Sequence, residues 1–330
     1  MANILTKDYP TLVDVLKTQN DSADVIEMCA EVNPMIKDAV YQQCNDGSTH
    51  DVVVVNGLAE AQFRDYYEGV KPSTGATTKV KLTTGMLESR GLADKKLVDK
   101  HKNPAKFRLV LNKTHIEAMN NTMQKEVIYG TKTKGGKFNG LATCYNSIST
   151  DKNKVGYNVI DAEGTGSNLT SIYMVSWGDV GASFIYPDAV EDNGGLKHTP
   201  KPADTVRNAD GTEYEAYRDI YEWDLGLCLA NWKTGGRIAN IDTSKFGTDE
   251  APDLELLLSK LYYKTLGKRT GMNTVFYVPL DVMIEFERQI KNKYNQPADV
   301  VKYLDEDIVS FKKIPLRLCD QISINEAKVS

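Results

Sequence analysis

The sequence predicts an α+β fold built from a projecting hairpin, one very long helix, a β-rich block and a closing α/β block. Three observations lead there. Residues 103–130, NPAKFRLVLNKTHIEAMNNTMQKEVIYG, keep one apolar face far longer than an ordinary helix needs. Residues 138–246 carry β-branched and aromatic runs between glycine turns. From residue 247 the chain alternates helix, strand, helix, strand.

The elements follow in order. VIEMCAEVNPMIKDAVYQQ reads as two short helical pieces broken at Pro34, because proline disfavours helix at the residue before it. DVVVVNG, 51–57, is a strand by its β-branched run. AQFRDYYEGVKPSTGATTKVKLTTGMLE holds a Lys-Pro-Ser-Thr-Gly turn between segments that can pair, which predicts a long hairpin with its tip near 71–78. That tip has few large apolar residues, so the hairpin should project and need a partner surface. In the long helix Asn103 is the N-cap, Pro104 suits the first turn, and Gly130 is the stop. Leu109, Ile116, Met119, Met123 and Val127 share one face, and about 26 residues would span roughly 39 Å. SIYMVSWG and ASFIYP read as strands joined by Gly-Asp-Val-Gly in a hairpin, 188–212 as a polar excursion, and 216–242 as β again, with Tyr217, Tyr221 and Trp223 in alternation. APDLELLLSKLYYKTLG is a helix ending at Gly267, TVFYVP a buried strand, and LDVMIEFERQIKNK a second helix. FKKIPLRLCDQISINEA, 311–327, closes the block as a strand beside TVFYVP.

Composition sets outer limits. A chain of 330 residues suggests about two domains, and 41% hydrophobic with 26% charged residues can bury a sizeable core. The net charge is −5, with no basic tail or arginine-rich arm, which argues against condensing nucleic acid directly. No stretch approaches the roughly 20 apolar residues of a membrane span, and no signal-peptide core opens the chain, so synthesis and retention in a cytoplasm are expected. The cysteines, Cys29, Cys44, Cys144, Cys228 and Cys319, form no CxxC or Cys/His cluster and read as free thiols.

Catalytic and cofactor patterns are missing from the sequence. KTKGGK follows a helix rather than a strand and continues to Phe138, so it fails as a phosphate loop. EGTGSN lacks the third glycine of a dinucleotide fingerprint. His50, His101, His115 and His198 are scattered, and His115 lies on the long helix in a structural position. Asp249, Glu250, Asp253 and Glu255 suit a helix N-terminus, and YLDEDI, 303–308, a solvated turn, without any metal. AYRDIYEWDLGLCLANW fits a core strand better than a stacking platform. The expectation is a protein without catalytic, cofactor or metal site.

GMLESRGLAD, the helix with HIEAMNNTMQKEVIYG, FNGLATCYN, IDAEGTGSNLTSIYMVSWG, AYRDIYEWDLGLCLANW, RIANID and IPLRLCDQISINEA come in an order that resembles the major capsid proteins of short-tailed double-stranded DNA phages, from about residue 50 onward. The resemblance implies an HK97-like fold: an N-terminal arm (1–50), an E-loop and its base (51–98), a P-domain (99–246) on a spine helix (103–130), and an A-domain (247–330). With the aromatic β block first and the α/β block last, it also implies a permuted chain order. The function implied is self-assembly into an icosahedral shell, as hexamers and pentamers, around the double-stranded DNA of a tailed phage. The shell would form in the bacterial host cytoplasm and end in the virion. Implied partners are a separate scaffolding protein, since no long segment precedes the arm, a portal protein, a cement or decoration protein in some shells, and DNA held only by proximity. Phe63, Tyr66, Tyr67, Lys71, Lys79, Lys81 and Leu82 fall in the E-loop and are the expected contacts between subunits. Some such shells crosslink an E-loop lysine, but lysines are ordinary on any exposed hairpin. The competing readings are an encapsulin-like nanocompartment and, from another class, a soluble enzyme or ligand-binding protein with a pocket around Tyr221 and Trp223.

Overall fold

The computed structural model describes residues 33–57, 59–132, 137–188, 195–266, 271–294, 300–303 and 306–330. In chain order these form α1 (Pro34–Asp38), β1 (Tyr41–Gln43), β2 (Thr49–Gly57), β3 (Ala76–Thr83), β4 (Gly85–Asp94), α2 (Lys95–Asp99), α3 (Pro104–Tyr129), α4 (Leu141–Cys144), β5 (Val159–Asp161), β6 (Leu169–Trp177), β7 (Ala182–Tyr186), β8 (Leu196–Arg207), β9 (Glu213–Leu229), β10 (Gly236–Asp242), α5 (Leu254–Lys264), β11 (Asn273–Val278), α6 (Leu280–Tyr294), β12 (Val300–Tyr303), β13 (Glu306–Phe311) and β14 (Ile314–Leu318). They divide into two compact units. The first takes the described residues up to 48, those of 83–140 and 184–227; the second takes those of 49–82, 141–183 and 228–330.

The first unit is a long helix on an antiparallel sheet. α3 has the expected 26 residues. Asn103 O accepts from Phe107 N at 3.1 Å at its start, and Gly130 N donates to Glu126 O at 2.7 Å at its end. Ile116, Met119, Met123 and Val127 are buried, as one face demands, and Ile128 joins them; the Leu109 side chain lies outside the described ones. β9 forms the middle of the sheet, with β4 in register from Gly85↔Leu225 to Asp94↔Ala216 on one side and β8 on the other. β8 corrects the expected polar excursion: its charges and prolines hide a strand that pairs with β9 through a bulge between Lys201 and Asp204. α1 is the second of the two expected helical pieces. It begins at Pro34 behind an extended Asn33, in line with a break at the proline, and Asn33 Oδ1 accepts from Met35 N at 2.9 Å and caps it. The helix stops at Ala39, and Tyr41–Gln43 pairs in parallel with β7. The other expected helical piece lies outside the described residues.

The second unit centres on β6, buried along its whole length. β10 and β11 flank it antiparallel, β14 lies beside β11 as expected for the closing stretch and runs parallel to it, and β13 and β12 continue antiparallel from β14. α5 and α6 cover this sheet with Leu254, Leu258, Leu261, Val282 and Phe286 against Ile172, Met174, Ile238 and Phe276. Asp253 caps α5 by accepting from Leu256 N at 3.0 Å, which accounts for one of the clustered acids there.

Four expectations change in this unit. The Gly-Asp-Val-Gly turn exists, but β6 meets β7 only at Trp177↔Ala182, in parallel, because both edges of β6 are already taken. α5 ends at Lys264 with Thr265 as its cap, and Gly267 lies outside the described residues. The closing strand ends at Leu318; beyond it Ile322 is buried but Ile324 is exposed. The last residues are pinned instead by side chains: Arg237 and Glu326 form a buried ion pair at 2.7 Å, and Asn240 exchanges two hydrogen bonds with the Val329 backbone. Last, the boundary expected at 246 falls inside a sheet, since β6 and β10 from before it pair with each other and β6 with β11 from beyond it.

Candidate functional site

No group of three or more metal-ligating side chains occurs among the described residues. Burial pushes the thiols of Cys144 and Cys228 up to about 11 and that of Cys319 up to about 12, which leaves them protonated and unreactive. Tyr221 and Trp223 are 1% and 0% exposed, so the aromatic alternation is core and offers no open platform.

The feature that stands out is the connection between β2 and β3. The tip lies earlier than expected, in the residues between Gly57 and Ala76, because ATTKVKLT forms the returning strand. Threonine, valine and alternation give that segment strand character, which outweighs the turn signal of Thr74-Gly75 just before it. Phe63, Tyr66 and Tyr67 are 108%, 94% and 106% exposed. Three large aromatics this open are costly in water unless another surface covers them. The tip is nonetheless ordered by its own bonds: Ser73 Oγ donates to Glu60 O at 2.8 Å, Glu68 N to Asp65 O at 3.3 Å, and Arg64 Nη1 to Glu68 O at 3.4 Å. Tyr67 holds φ 69°, a left-handed conformation that turns the chain between the two tyrosines and Glu68.

The other expected contact residues separate from this cluster. Lys71 is exposed on the descending side of the tip. Lys79 lies in β3 and forms an exposed pair with Asp51 of β2 at 2.7 Å. Lys81 is exposed on β3, and Leu82 is half-buried at the base. Phe63, Tyr66, Tyr67 and Lys71 are therefore the expected residues that lie exposed in the tip itself.

Sequence reasoning missed the seam under α3. Asp219 on β9 accepts from Arg108 at 2.8 Å and from Asn112 at 2.8 Å, with His198 Nε2 3.0 Å away. Burial alone would raise the Asp219 carboxyl, but the hydrogen bonds from His198, Arg108 and Asn112 outweigh it and hold the group below the usual carboxylate range. The His198 ring stacks on Tyr221 at 4.5 Å between centroids. Farther along, Ser89 on β4 meets His115 at 3.0 Å. The four partners are scattered in sequence, and only the β8–β9 register could have brought His198 to Asp219. Sequence reasoning also missed Met86 and Leu92, exposed on β4; the alternation of GMLESRGLAD, which sets them on one face with Glu88 and Arg90, is the signal that could have found them.

The comparisons bear on what such a chain does. The family described as major capsid protein GP7 matches residues 17–330. The chain belongs to that capsid protein family. Its fold is the HK97-like fold: a chain of the near-atomic cryo-EM structure of bacteriophage epsilon15 is similar at 30% identity, with 88% of each chain covered and a TM-score of 0.68. The capsid of bacteriophage JBD30 is similar over 96% of this chain and 99% of its own at 10% identity and TM-score 0.46. An encapsulin complex of Synechococcus elongatus covers 72% of this chain and 92% of its own at 10% identity and TM-score 0.43. No curated protein matches the sequence. The capsid protein is thus a component of a phage shell, and among its described residues no helix is long and apolar enough to cross a membrane.

Proposed function

We propose that this capsid protein forms the icosahedral head shell of a tailed phage around double-stranded DNA, and that β2–β3 is the E-loop through which one copy grips the next. The exposure of Phe63, Tyr66 and Tyr67 carries this reading. A shell protein needs side chains that are costly in the lone subunit and satisfied in a neighbour. Burying each ring stabilises a contact by about 1.5–3 kcal/mol. Such a contact is weak alone, so misplaced subunits can leave, and strong when many act together. Lys71 would lie beside the same contact, with Lys79, Lys81 and Leu82 setting the hairpin beneath it.

The unit containing α3 is the proposed P-domain and the unit centred on β6 the proposed A-domain, whose loops would meet symmetry copies in hexamers and pentamers. The chain then passes between them more than once, in place of the consecutive blocks 99–246 and 247–330. β14 beside β11 supports a permuted order in which the last strand completes the axial sheet. Assembly is proposed to use a separate scaffolding protein and a portal, with a cement protein in the mature particle. DNA is held without sequence contacts, which suits a net charge of −5. The role proposed is purely structural, without catalysis.

Electron microscopy of the chain expressed with and without its genomic neighbours tests this. Closed shells with the neighbours, and open or irregular assemblies without them, are expected. A persistent monomer that binds a small ligand would contradict the reading, and correct closed shells from this chain alone would remove the scaffolding requirement.

A further inference from the structure

The second unit carries a cationic face along the C-terminal half of α5. Lys260 and Lys264 stand one turn apart on this helix, with the largely exposed Tyr263 beside them. The turn between β13 and β14 brings two more lysines to the same helix. Phe311↔Ile314 pairing leaves Lys312 and Lys313 as a two-residue turn. Both hold left-handed φ values, 50° and 65°, where asparagine and glycine are the usual occupants. The strain has a visible compensation. The Lys312 ammonium donates to Ser259 Oγ at 3.1 Å and lies 4.2, 5.1 and 5.2 Å from the ring centroids of Tyr263, Tyr262 and Phe311. That cation is thus held on α5 in advance. On the other flank Lys264 Nζ donates to Tyr157 O at 3.0 Å and sits over the Tyr157 ring. None of the four lysines forms an ion pair among the described residues. Burial and the neighbouring Lys260 charge hold the Lys264 ammonium below its ordinary range. The acids of these elements stand elsewhere: Glu255 and the cap Asp253 toward the start of α5, Glu306 and Asp307 at the far end of β13. The helix dipole explains a lysine in the last turn of α5, but not the pair delivered by the β13–β14 turn.

We propose that this face, with Lys260, Lys264, Lys312 and Lys313 around Tyr263, contacts the phosphate backbone of the packaged double-stranded DNA. The inference rests on the shell reading above and adds to it the protein surface that meets the genome. Charge selects the occupant. A duplex presents one negative charge per about 1.7 Å of its axis, and lysines meet phosphates as point charges without reading sequence. The aromatic rings are engaged by lysine, so they fix the cations and do not stack bases. The net charge of −5 describes the whole chain and hides a local face of opposite sign. A contact through four lysines is weak and salt-labile in each copy, which lets the duplex slide, while many copies together still hold it.

Photocrosslinking in DNA-filled particles tests the contact. A benzophenone side chain in place of Tyr263 should, on illumination, join protein to DNA in filled shells and give no such adduct in empty ones. Links to protein alone would overturn the proposal, assigning the face to an acidic protein segment, while leaving the shell reading in place. Salt titration of the unassembled full chain on short duplex DNA is an independent readout. Lys260→Gln and Lys313→Gln together should reduce the slope of log affinity against log salt by about 2, since each phosphate contact contributes about 0.9. The melting temperature should stay unchanged, because both side chains are exposed. An unchanged slope, or tighter binding to polyglutamate than to the duplex at the same salt, would overturn the proposal. Failure of the unmodified chain to form shells would instead sink the shell reading itself.

Discussion

The two units solve the same packing problem, a helical layer on a sheet, with opposite chemistry. In the second, α5 and α6 meet the sheet through leucine, isoleucine, methionine and phenylalanine. In the first, α3 meets it through apolar residues toward its C-terminal half and through Arg108, Asn112 and His115 nearer its start. Apolar contacts are non-directional and tolerate small shifts, whereas a buried ion pair with satisfied hydrogen bonds holds in one geometry. The contact of α5 and α6 with their sheet is therefore generic, the buried Arg237–Glu326 pair of that unit pinning the last residues instead, whereas α3 is keyed to its sheet by directional bonds that favour one position. A shell depends on such a fixed position if the helix sets the angle between neighbours.

Removing the key should have the largest effect. Asp219→Ala leaves Arg108 buried without its carboxylate and should cost about 3–5 kcal/mol by denaturant titration. The same joint should respond to acid. Because Asp219 is held below its usual range in the folded protein, its contribution is complete above about pH 4 and is lost as the pH falls through the lowered folded-state value. The gap in melting temperature between the unmodified chain and Asp219→Asn should then narrow steadily below pH 4; a constant gap would show that the carboxylate's charge is not what holds the joint.

The generic core should behave differently under size changes. Leu258→Ala should cost about 2–5 kcal/mol, but Leu258→Met less than about 1.5. Equal costs for both would mean that this core is as exacting as the joint. Gly91 probes the joint by sterics alone. A Cβ there would fall 2.0 Å from Asn112 Oδ1, so Gly91→Ala should cost about 1–3 kcal/mol through displacement of that amide from Asp219. Smallest of all, Lys79→Ala removes an exposed pair with Asp51 and should change stability by no more than about 1 kcal/mol.

The contrast also explains what the sequence made legible. α3, α5, α6, β11 and β14 were readable because an apolar face at a fixed period records burial directly. The seam was not, because its members come from α3, β8 and β9 and only pairing brings them together. β8 escaped for the same reason: its lysines and prolines describe its open face, while its place is set by the register with β9. The supposed hairpin at Gly178–Gly181 shows the converse error, in which local turn chemistry was clear but could not reveal that both edges of β6 were occupied. Phe63, Tyr66 and Tyr67 were legible as contact residues of the loop, but the tip itself was placed at 71–78 and read as poor in large apolar residues, because the turn signal before ATTKVKLT hid a returning strand that moves these aromatics into the tip.

The central claim is that the β2–β3 tip is completed by another copy. A cryo-EM reconstruction of the assembled shell, at a resolution that shows aromatic side chains, tests it directly. The account predicts Phe63, Tyr66 and Tyr67 buried against a neighbouring subunit at every quasi-equivalent position. Shells in which these rings remain in solvent would contradict it.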